Sequence, residues 1–369
     1  MSIRYIRSTS ELSELCEQAT VTGRIGIDTE FIRDRTYYAQ LALVQLAVED
    51  THVLVDPLAD GLSLEPLEEL LSDETVIKVL HAATQDLEIF YQRTGCAPAS
   101  LFDTQIAAAM CGHGLQVSYG AAVETLLGVK VNKGARYTDW LRRPLSEAQE
   151  TYALADVEHL FALHDTLQSS VSELGRDQAL AEELLGLCAP NRYTTSAADV
   201  ARRLKGAGRL DERTQAILLK LVEWREAEAA RSDVPRRWVL ADDSLIAMAR
   251  SAPTSHRELR DVRGAGKAAS RAGDALLEAI AAGKSEALPK VEKKAPRQKP
   301  TEAQSTAADF VRSVIRTLCR DAAVAPSMVA SSSDIEQLVI AHYNGDDLSE
   351  HALMQGWRGA IVGDRVRAF

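Results

Sequence analysis

Four carboxylates and one phenol stand out because their spacing could build a cation site. Asp28 and Glu30 lie two positions apart inside the apolar run IGIDTEF (25–31), and along a strand residues i and i+2 share a face. Like charges held that close disfavour each other's ionised form unless something positive sits between them. Tyr152 and Asp156, in TYALADVEHL, are four apart on a helical pattern and so share a face. Asp86, in HAATQDLEIF, opens a helix directly after an apolar strand. A hard cation such as Mg²⁺ prefers oxygen ligands and keeps several waters, so a few carboxylates plus substrate phosphates suffice. Two such ions about 3.5–4 Å apart stabilise the attacking and leaving oxygens of phosphodiester hydrolysis. On that chemistry Asp28 and Glu30 hold both ions, and Asp86 and Asp156 complete their shells. Tyr152 orients the attacking water, since a phenol of ordinary pKa, about 10, is a poor base at neutral pH. D-x-E in a strand, or Tyr four before Asp in a helix, is common alone; the ordered set of five carries the reading.

These side chains need rigid elements beneath them. IGIDTEF (25–31), LALVQLAV (41–48) and THVLVDPL (51–58) read as three short strands. Their short connections predict antiparallel neighbours, because parallel pairs need a longer crossover. LEPLEELLSD (64–73) follows as a helix, VIKVLHA (76–82) as a strand and TQDLEIFYQR (84–93) as a helix. The pattern then turns helical: DTQIAAAMCG, SYGAAVETLLG, and one long helix over 146–174 with Ser146 as its N-cap. From about residue 210 only helical periodicity remains, with a long amphipathic helix over 211–233 and shorter ones broken by Pro253 and Gly264. Residues 284–300 carry three prolines and six basic residues with little to bury, the composition of a flexible linker. The chain thus parses as α/β, then all-α, then a smaller all-α part, with no strict repeat between the last two.

At 369 residues the chain exceeds one ordinary core and predicts two or three domains. No stretch approaches the ~20 apolar residues of a membrane span, and MSIRYIRSTSEL lacks the apolar core of a signal peptide, so the expected location is the cytoplasm. Five scattered cysteines without a C-x-x-C pair argue against a disulfide framework or a structural zinc site. The net charge of −11 discourages a nucleic-acid partner until its distribution is read. Residues 1–200 hold 14 Lys/Arg against 30 Asp/Glu, residues 201–300 hold 22 against 14, and residues 301–369 hold 6 against 9. An acidic module is followed by a basic one, which suggests a division of labour.

DTEF (28–31), HAATQDLEIF (81–90) and DWLRRPLSEAQETYALADVEHL (139–160) together resemble the ribonuclease D group of 3′-to-5′ exonucleases, which use a DEDD set of carboxylates on a ribonuclease H-like α/β fold. The resemblance implies metal-ligand roles for Asp28, Glu30, Asp86 and Asp156, and a water-positioning role for Tyr152. The sister subgroup would carry a histidine at Thr151, so the tyrosine variety (DEDDy) is indicated, and His159 falls off the pattern as a helix-surface residue. YYAQLALVQLA is similar to the family's second strand and LFDTQIAAAM to its later segment, which makes Asp103 structural. Trp140 and Arg143 fall in the family's Asp-Trp…Arg-Pro-Leu segment and are expected to pack the catalytic helix. KVNKGARY departs from the family's usual polar run, which leaves substrate contacts by Lys133, Arg136 and Tyr137 open. Further on, LVEWREAEAARSDVPRRWVLADDSLIAMA and ELRDVRGAG resemble the HRDC domain, and LMQGWRGAIVGDRV a second, more divergent HRDC-like unit. The implied organisation is an exonuclease domain over 1–205, an HRDC domain over 208–284, a basic Pro-containing linker over 285–302 and an HRDC-like helical domain over 303–369.

The expected function is metal-dependent 3′-5′ exoribonuclease activity with two divalent ions, Mg²⁺ or Mn²⁺, releasing nucleoside 5′-monophosphates. The expected partner is RNA with a free 3′ end, tRNA precursors by family resemblance, with no membrane and no obligate protein partner. Phe31 is the candidate wedge against the terminal base, and Thr29, His81 and Gln85 are further candidates for contacting the terminal nucleotide. Arg236, Arg237, Arg260, Arg263 and Lys267 form the expected RNA-holding face, with Trp224 and Trp238 in the core. Two alternatives stay open: a DNA exonuclease of the same fold, since selection for RNA rests on contacts to the 2′-hydroxyl, and a non-catalytic RNA-binding protein.

Overall fold

The computed structural model describes residues 4–131, 134, 138–194, 196–285 and 299–367. Lys133, Arg136, Tyr137 and most of the linker over 285–302 lie outside the described residues. Within these, no helix is long and apolar enough to cross a membrane.

The chain opens with β1 (Tyr5–Ile6), α1 (Thr9–Thr22), β2 (Arg24–Ile32), β3 (Gln40–Val48) and β4 (Thr51–Val55). It continues through α2 (Glu65–Ser72), β5 (Ile77–Leu80), α3 (Thr84–Thr94), β6 (Leu101–Asp103), α4 (Thr104–Met110) and α5 (Tyr119–Leu127). The six strands form one mixed sheet in the order β1-β4-β3-β2-β5-β6. β3 and β4 pair antiparallel, Val44 against Val55 through Val48 against Thr51, as their two-residue connection demands. α2 supplies the crossover that lets β5 lie parallel to β2, Ile25 opposite Lys78, and β6 extends the sheet parallel to β5. All but the first residue of β3 is buried, as its unbroken apolar run requires of an inner strand.

Where a single helix is expected over 146–174, the structure has two: α6 (Glu147–Glu158) and α7 (Leu160–Glu173). They break at His159, whose N–H donates to the Tyr119 hydroxyl at 2.9 Å, so His159 sits at a helix junction. Gly26 explains why β2 and α7 pack so tightly, because a Cβ there would lie 3.0 Å from Ala47 Cβ and 3.3 Å from Leu160 Cδ1. α8 (Asp177–Leu187) closes this part of the chain.

The helical part comprises α9 (Ala197–Arg203), α10 (Glu212–Arg231), α11 (Arg236–Val239), α12 (Asp242–Ser251), α13 (His256–Asp261) and α14 (Gly266–Ser285). With residues 31–40 it forms a compact unit over 191–293, so the division falls at Pro190 rather than near 205. Its core gathers Ile217, Leu221, Leu245, Leu276 and Ile280, with Trp224 packed against it. Arg225 is fully buried there, donating to Leu240 O at 3.2 Å and Asp242 Oδ1 at 2.7 Å. Segment 31–40 is tied in by Asp233, whose carboxylate accepts from the N–H groups of Tyr37 (3.1 Å) and Tyr38 (3.3 Å). Trp238 departs from expectation: it is 65% exposed, because α11 is a single turn with no buried residue.

α15 (Glu302–Asp321), α16 (Pro326–Val329) and α17 (Ser332–Asn344) follow. They do not make a separate body: residues 294–369 group with 1–30 and 41–190. Ile315, Leu318, Val324, Met328, Leu353, Val362 and Val366 share one core with Ala107, Met110, Leu180 and Leu184. Ala325 N–H donates to Ala109 O at 2.9 Å, Arg176 spans the junction to Ala323 O at 2.7 Å, and the Trp357 indole donates to Glu183 at 3.1 Å. A structural repeat nonetheless links the two helical parts. Glu212 and Glu302, Arg236 and Pro326, and Asp242 and Ser332, which open corresponding helices, are each 90 residues apart. The turn after the long helix carries the same positive-φ residue, Asp233 at 45° and Ala323 at 48°.

Candidate active site

β2 brings Asp28 and Glu30 to one place, and α6 brings Asp156 to them: one oxygen from each carboxylate lies within 4.8 Å of the others. α6 is fixed at its start by a capping box, Ser146 accepting from Gln149 N–H and Gln149 answering to Ser146 N–H. The segment before it is clamped by Arg143, whose guanidinium forks onto Asp56 at 2.8 and 2.9 Å and also donates to Ala42 O and Trp140 O. Trp140 is buried and its ring lies 6.1 Å from that of Tyr152. Trp140 thus contacts α6 through Tyr152, as expected, whereas the contacts of Arg143 are with Asp56, Ala42 and the segment before α6.

Asp86 stands outside the close trio, buried in the first turn of α3, where it accepts a hydrogen bond from the Thr29 hydroxyl. Burial pushes its carboxyl up to about 7, against the lowering effect of the Thr29 bond. Asp28 is held well above the usual carboxylate range, first by burial, then by the charges of Asp86, Asp156 and Glu30. So Asp86 acts electrostatically on the trio it does not join. Tyr152 hydrogen-bonds Asp156, and burial followed by the charges of Asp156, Glu30 and Asp28 raises its phenol above the ordinary value. It therefore stays protonated at neutral pH. A cleft of about 310 Å³ runs beside it, lined by Gly134, Glu147, Ala148, Thr151 and Tyr152.

The donor set is oxygen only, and its ionisation is opposed by its own crowding. That is the condition a hard divalent cation relieves, so these residues fit such ions.

The remaining candidates separate. Thr29 is buried and its hydroxyl donates to Asp86. His81 commits both ring nitrogens, Nδ1 to Thr104 Oγ1 at 2.8 Å and Nε2 to Val117 O at 2.9 Å, so it braces the turn before α5. Gln85 is exposed in the first turn of α3. Phe31, half-buried, directly follows Glu30, with the Arg33 guanidinium 5.9 Å from its ring centre. Asp103 is structural as expected, accepting from the N–H groups of Gln105, Ile106, Ala82 and Ala83. The Thr29 bond was not foreseen from sequence; a hydroxyl between two acids on a buried strand was the available signal.

Comparison with known proteins agrees with this geometry. The family pattern of a 3′-5′ exonuclease matches residues 3–172, and that of the HRDC domain matches residues 214–280. The chain is 38% identical over 368 residues to the ribonuclease D of Gluconacetobacter diazotrophicus, covering 98% of this chain and 91% of that protein. It is 38% identical over 366 residues to the ribonuclease D of a Jannaschia species, covering 97% of this chain and 92% of that one. The crystal structure of Escherichia coli RNase D, an exoribonuclease involved in structured RNA processing, superposes with a TM-score of 0.81 at 30% identity, covering 100% of this chain and 98% of that one. The carboxylates of β2, α3 and α6 therefore sit in a chain that belongs to the ribonuclease D family.

Proposed function

We propose that the chain is a metal-dependent 3′-5′ exoribonuclease that hydrolyses the terminal phosphodiester of RNA and releases nucleoside 5′-monophosphates. The observation that carries this is the meeting of Asp28, Glu30 and Asp156 within 4.8 Å, beside a protonated Tyr152 bonded to Asp156.

Asp28, Glu30 and Asp156, with Asp86 completing the set, are the residues that would hold two divalent ions, Mg²⁺ or Mn²⁺. When bound, those ions supply positive charge to the scissile phosphate and a more acidic water. Tyr152 donates its proton to Asp156, which leaves its oxygen lone pairs to accept from the attacking water and aim it at phosphorus. The water oxygen bonds to phosphorus as the bond to the 3′ oxygen of the penultimate nucleotide breaks; one water proton goes to that oxygen and the other leaves to solvent. Thr29 keeps Asp86 oriented through the cycle. Phe31, next to Glu30, is our choice for the wedge that makes cleavage end-specific, and Gln85 for a contact to the last nucleotide. tRNA precursors are the proposed substrates, in line with the structured-RNA role stated for the Escherichia coli protein.

The test is a 5′-labelled RNA with a single-stranded 3′ end, incubated with Mg²⁺, Mn²⁺ or EDTA, beside a DNA of the same sequence. A ladder shortening one nucleotide at a time, dependent on metal, faster on RNA and absent in Asp28→Ala, is expected. Intact RNA under every metal condition, or faster DNA cleavage, would overturn the reading.

A further inference from the structure

The helical unit contains a cleft of about 420 Å³ whose walls include Lys205, Arg209 and Arg250, with Asp243 as its acid and Ile246 and Ala247 as its apolar floor. We infer that this cleft holds the phosphodiester backbone of the single-stranded RNA substrate. The inference rests on the exoribonuclease reading and gives the basic segment a defined place of action.

The local sequence builds the cleft. Gly206, at φ 92°, turns the chain between α9 and the short turn Ala207–Arg209, so that Lys205 and Arg209 line the same hollow. Arg250 comes from the last turn of α12, and Asp243, seven residues earlier, from its first.

Of the expected basic face, Arg236 is paired with Glu226 at 3.3 Å and Arg237 with Asp242 at 3.0 Å, while Arg260, Arg263 and Lys267 have no carboxylate partner among the described residues; none of the five lines this cleft. Among the described residues no carboxylate pairs with Lys205, Arg209 or Arg250. Three cations against Asp243 leave the cleft positive, which is what phosphate oxygens require.

The repeat shows that the helix scaffold does not need Arg250. Ninety residues on from Asp243, Ile246 and Arg250 stand Ser333, Glu336 and Ile340, so α17 folds as the counterpart of α12 with no cation at the Arg250 position. The volume is that of a nucleotide rather than a bare ion, and the floor suits a sugar or base face while the cations take the phosphates.

The test uses the full chain. In an Asp28→Ala background, a fluorescein-labelled 20-nucleotide RNA is titrated by anisotropy between 50 and 200 mM KCl, with and without Lys205→Gln, Arg209→Gln and Arg250→Gln combined. Affinity should fall about tenfold or more, and the slope of log K against log salt should drop by about 2, at roughly 0.7 for each single-strand phosphate no longer neutralised. With Asp28 intact, the triple variant should raise KM on the 20-mer several-fold with kcat nearly unchanged. Arg250→Ile alone, the side chain of the second repeat, should give about a third of the slope change without disturbing the fold. An unchanged slope overturns the proposal, as does a loss confined to kcat. If adenosine 5′-monophosphate at millimolar concentration binds the wild type but not the triple variant, and the 20-mer slope is unchanged, the cleft is a mononucleotide site instead. Failure of the wild type to degrade the 20-mer would refute the exoribonuclease reading, while the anisotropy series still decides the cleft.

Discussion

Replacing Arg225 tests how the helical unit is held together, because the repeat supplies its own control. Arg225 is completely buried and gives its guanidinium to Asp242, the Leu240 carbonyl and, at 3.2 Å, Glu226. Removing one partner of a buried pair costs about 3–5 kcal/mol. Arg237 also reaches Asp242, at 3.0 Å, and keeps part of its charge compensated, so Arg225→Ala belongs at the lower end, about 3 kcal/mol. In the second copy the position 90 residues on is Ile315, 1% exposed, and the partner position is Ser332. Replacing both members of a buried pair by a packed apolar solution is often neutral. Glu226 keeps Arg236 as a partner at 3.3 Å, so Arg225→Ile with Asp242→Ser should lie within about 1 kcal/mol of wild type. Hydrogen exchange of peptides from α10 and α12 in the intact protein reads this locally: about 3 kcal/mol is roughly two decades in opening, at about 1.4 kcal/mol per decade. Exchange in Arg225→Ala within threefold of wild type would refute the reasoning. So would a double variant as open as the single one.

Three further outcomes follow from the site and the sheet. Tyr152→Phe should lower kcat by about 10²-fold through misoriented water with KM nearly unchanged; an equal loss in 1/KM would assign the ring to substrate binding. Thr29→Val keeps the volume but removes the donor to Asp86, and should weaken Mn²⁺ binding by about 10–100-fold, read by titration of the metal rather than by turnover; unaltered binding would dismiss the positioning role. Lys78, buried on β5 and donating to Val76 O at 2.9 Å, has its pKa pushed down to about 8 by burial. The unfolded chain, near the ordinary 10.5, then binds the proton more tightly, so stability should rise between pH 8 and 10.5. Lys78→Met should remove that rise relative to wild type in urea melts at pH 7.5 and 10; parallel pH dependence of the two would refute it.

Much of the nuclease site was legible because its information is local. Strand alternation carries Asp28 with Glu30, and a helical turn carries Tyr152 with Asp156; neither depends on distant packing. The pairing of β2 with β5 was less legible, since it depends on α2 as a crossover. The break at His159 was hidden because 146–174 keeps an uninterrupted helical composition, and what ends α6 is a hydroxyl 40 residues away on Tyr119. Trp238 misled for a similar reason: the apolar pattern V-P-R-R-W-V-L reads as core, while a one-turn helix cannot bury every apolar side chain it carries. The bonds of His81 to Thr104 and Val117 and of Thr29 to Asp86 were hidden because sequence reveals neighbours along the chain and not across it.

The shared core of 303–367 with α4 and α8 has a bearing on how the enzyme is born. Asp28, Glu30, Asp86 and Asp156 leave the ribosome early, yet the hydrophobic surface behind them is closed by Val362 and Val366. At ~5–20 residues per second, the ~190 residues between α7 and that closure take ~10–40 s to synthesise. A nascent chain carrying every ligand of the site thus spends that interval with Ala107, Met110 and Leu184 uncovered. Its nuclease unit completes this core only once residues 303–367 have been made, so a product terminated before them carries the catalytic residues on an unfinished core.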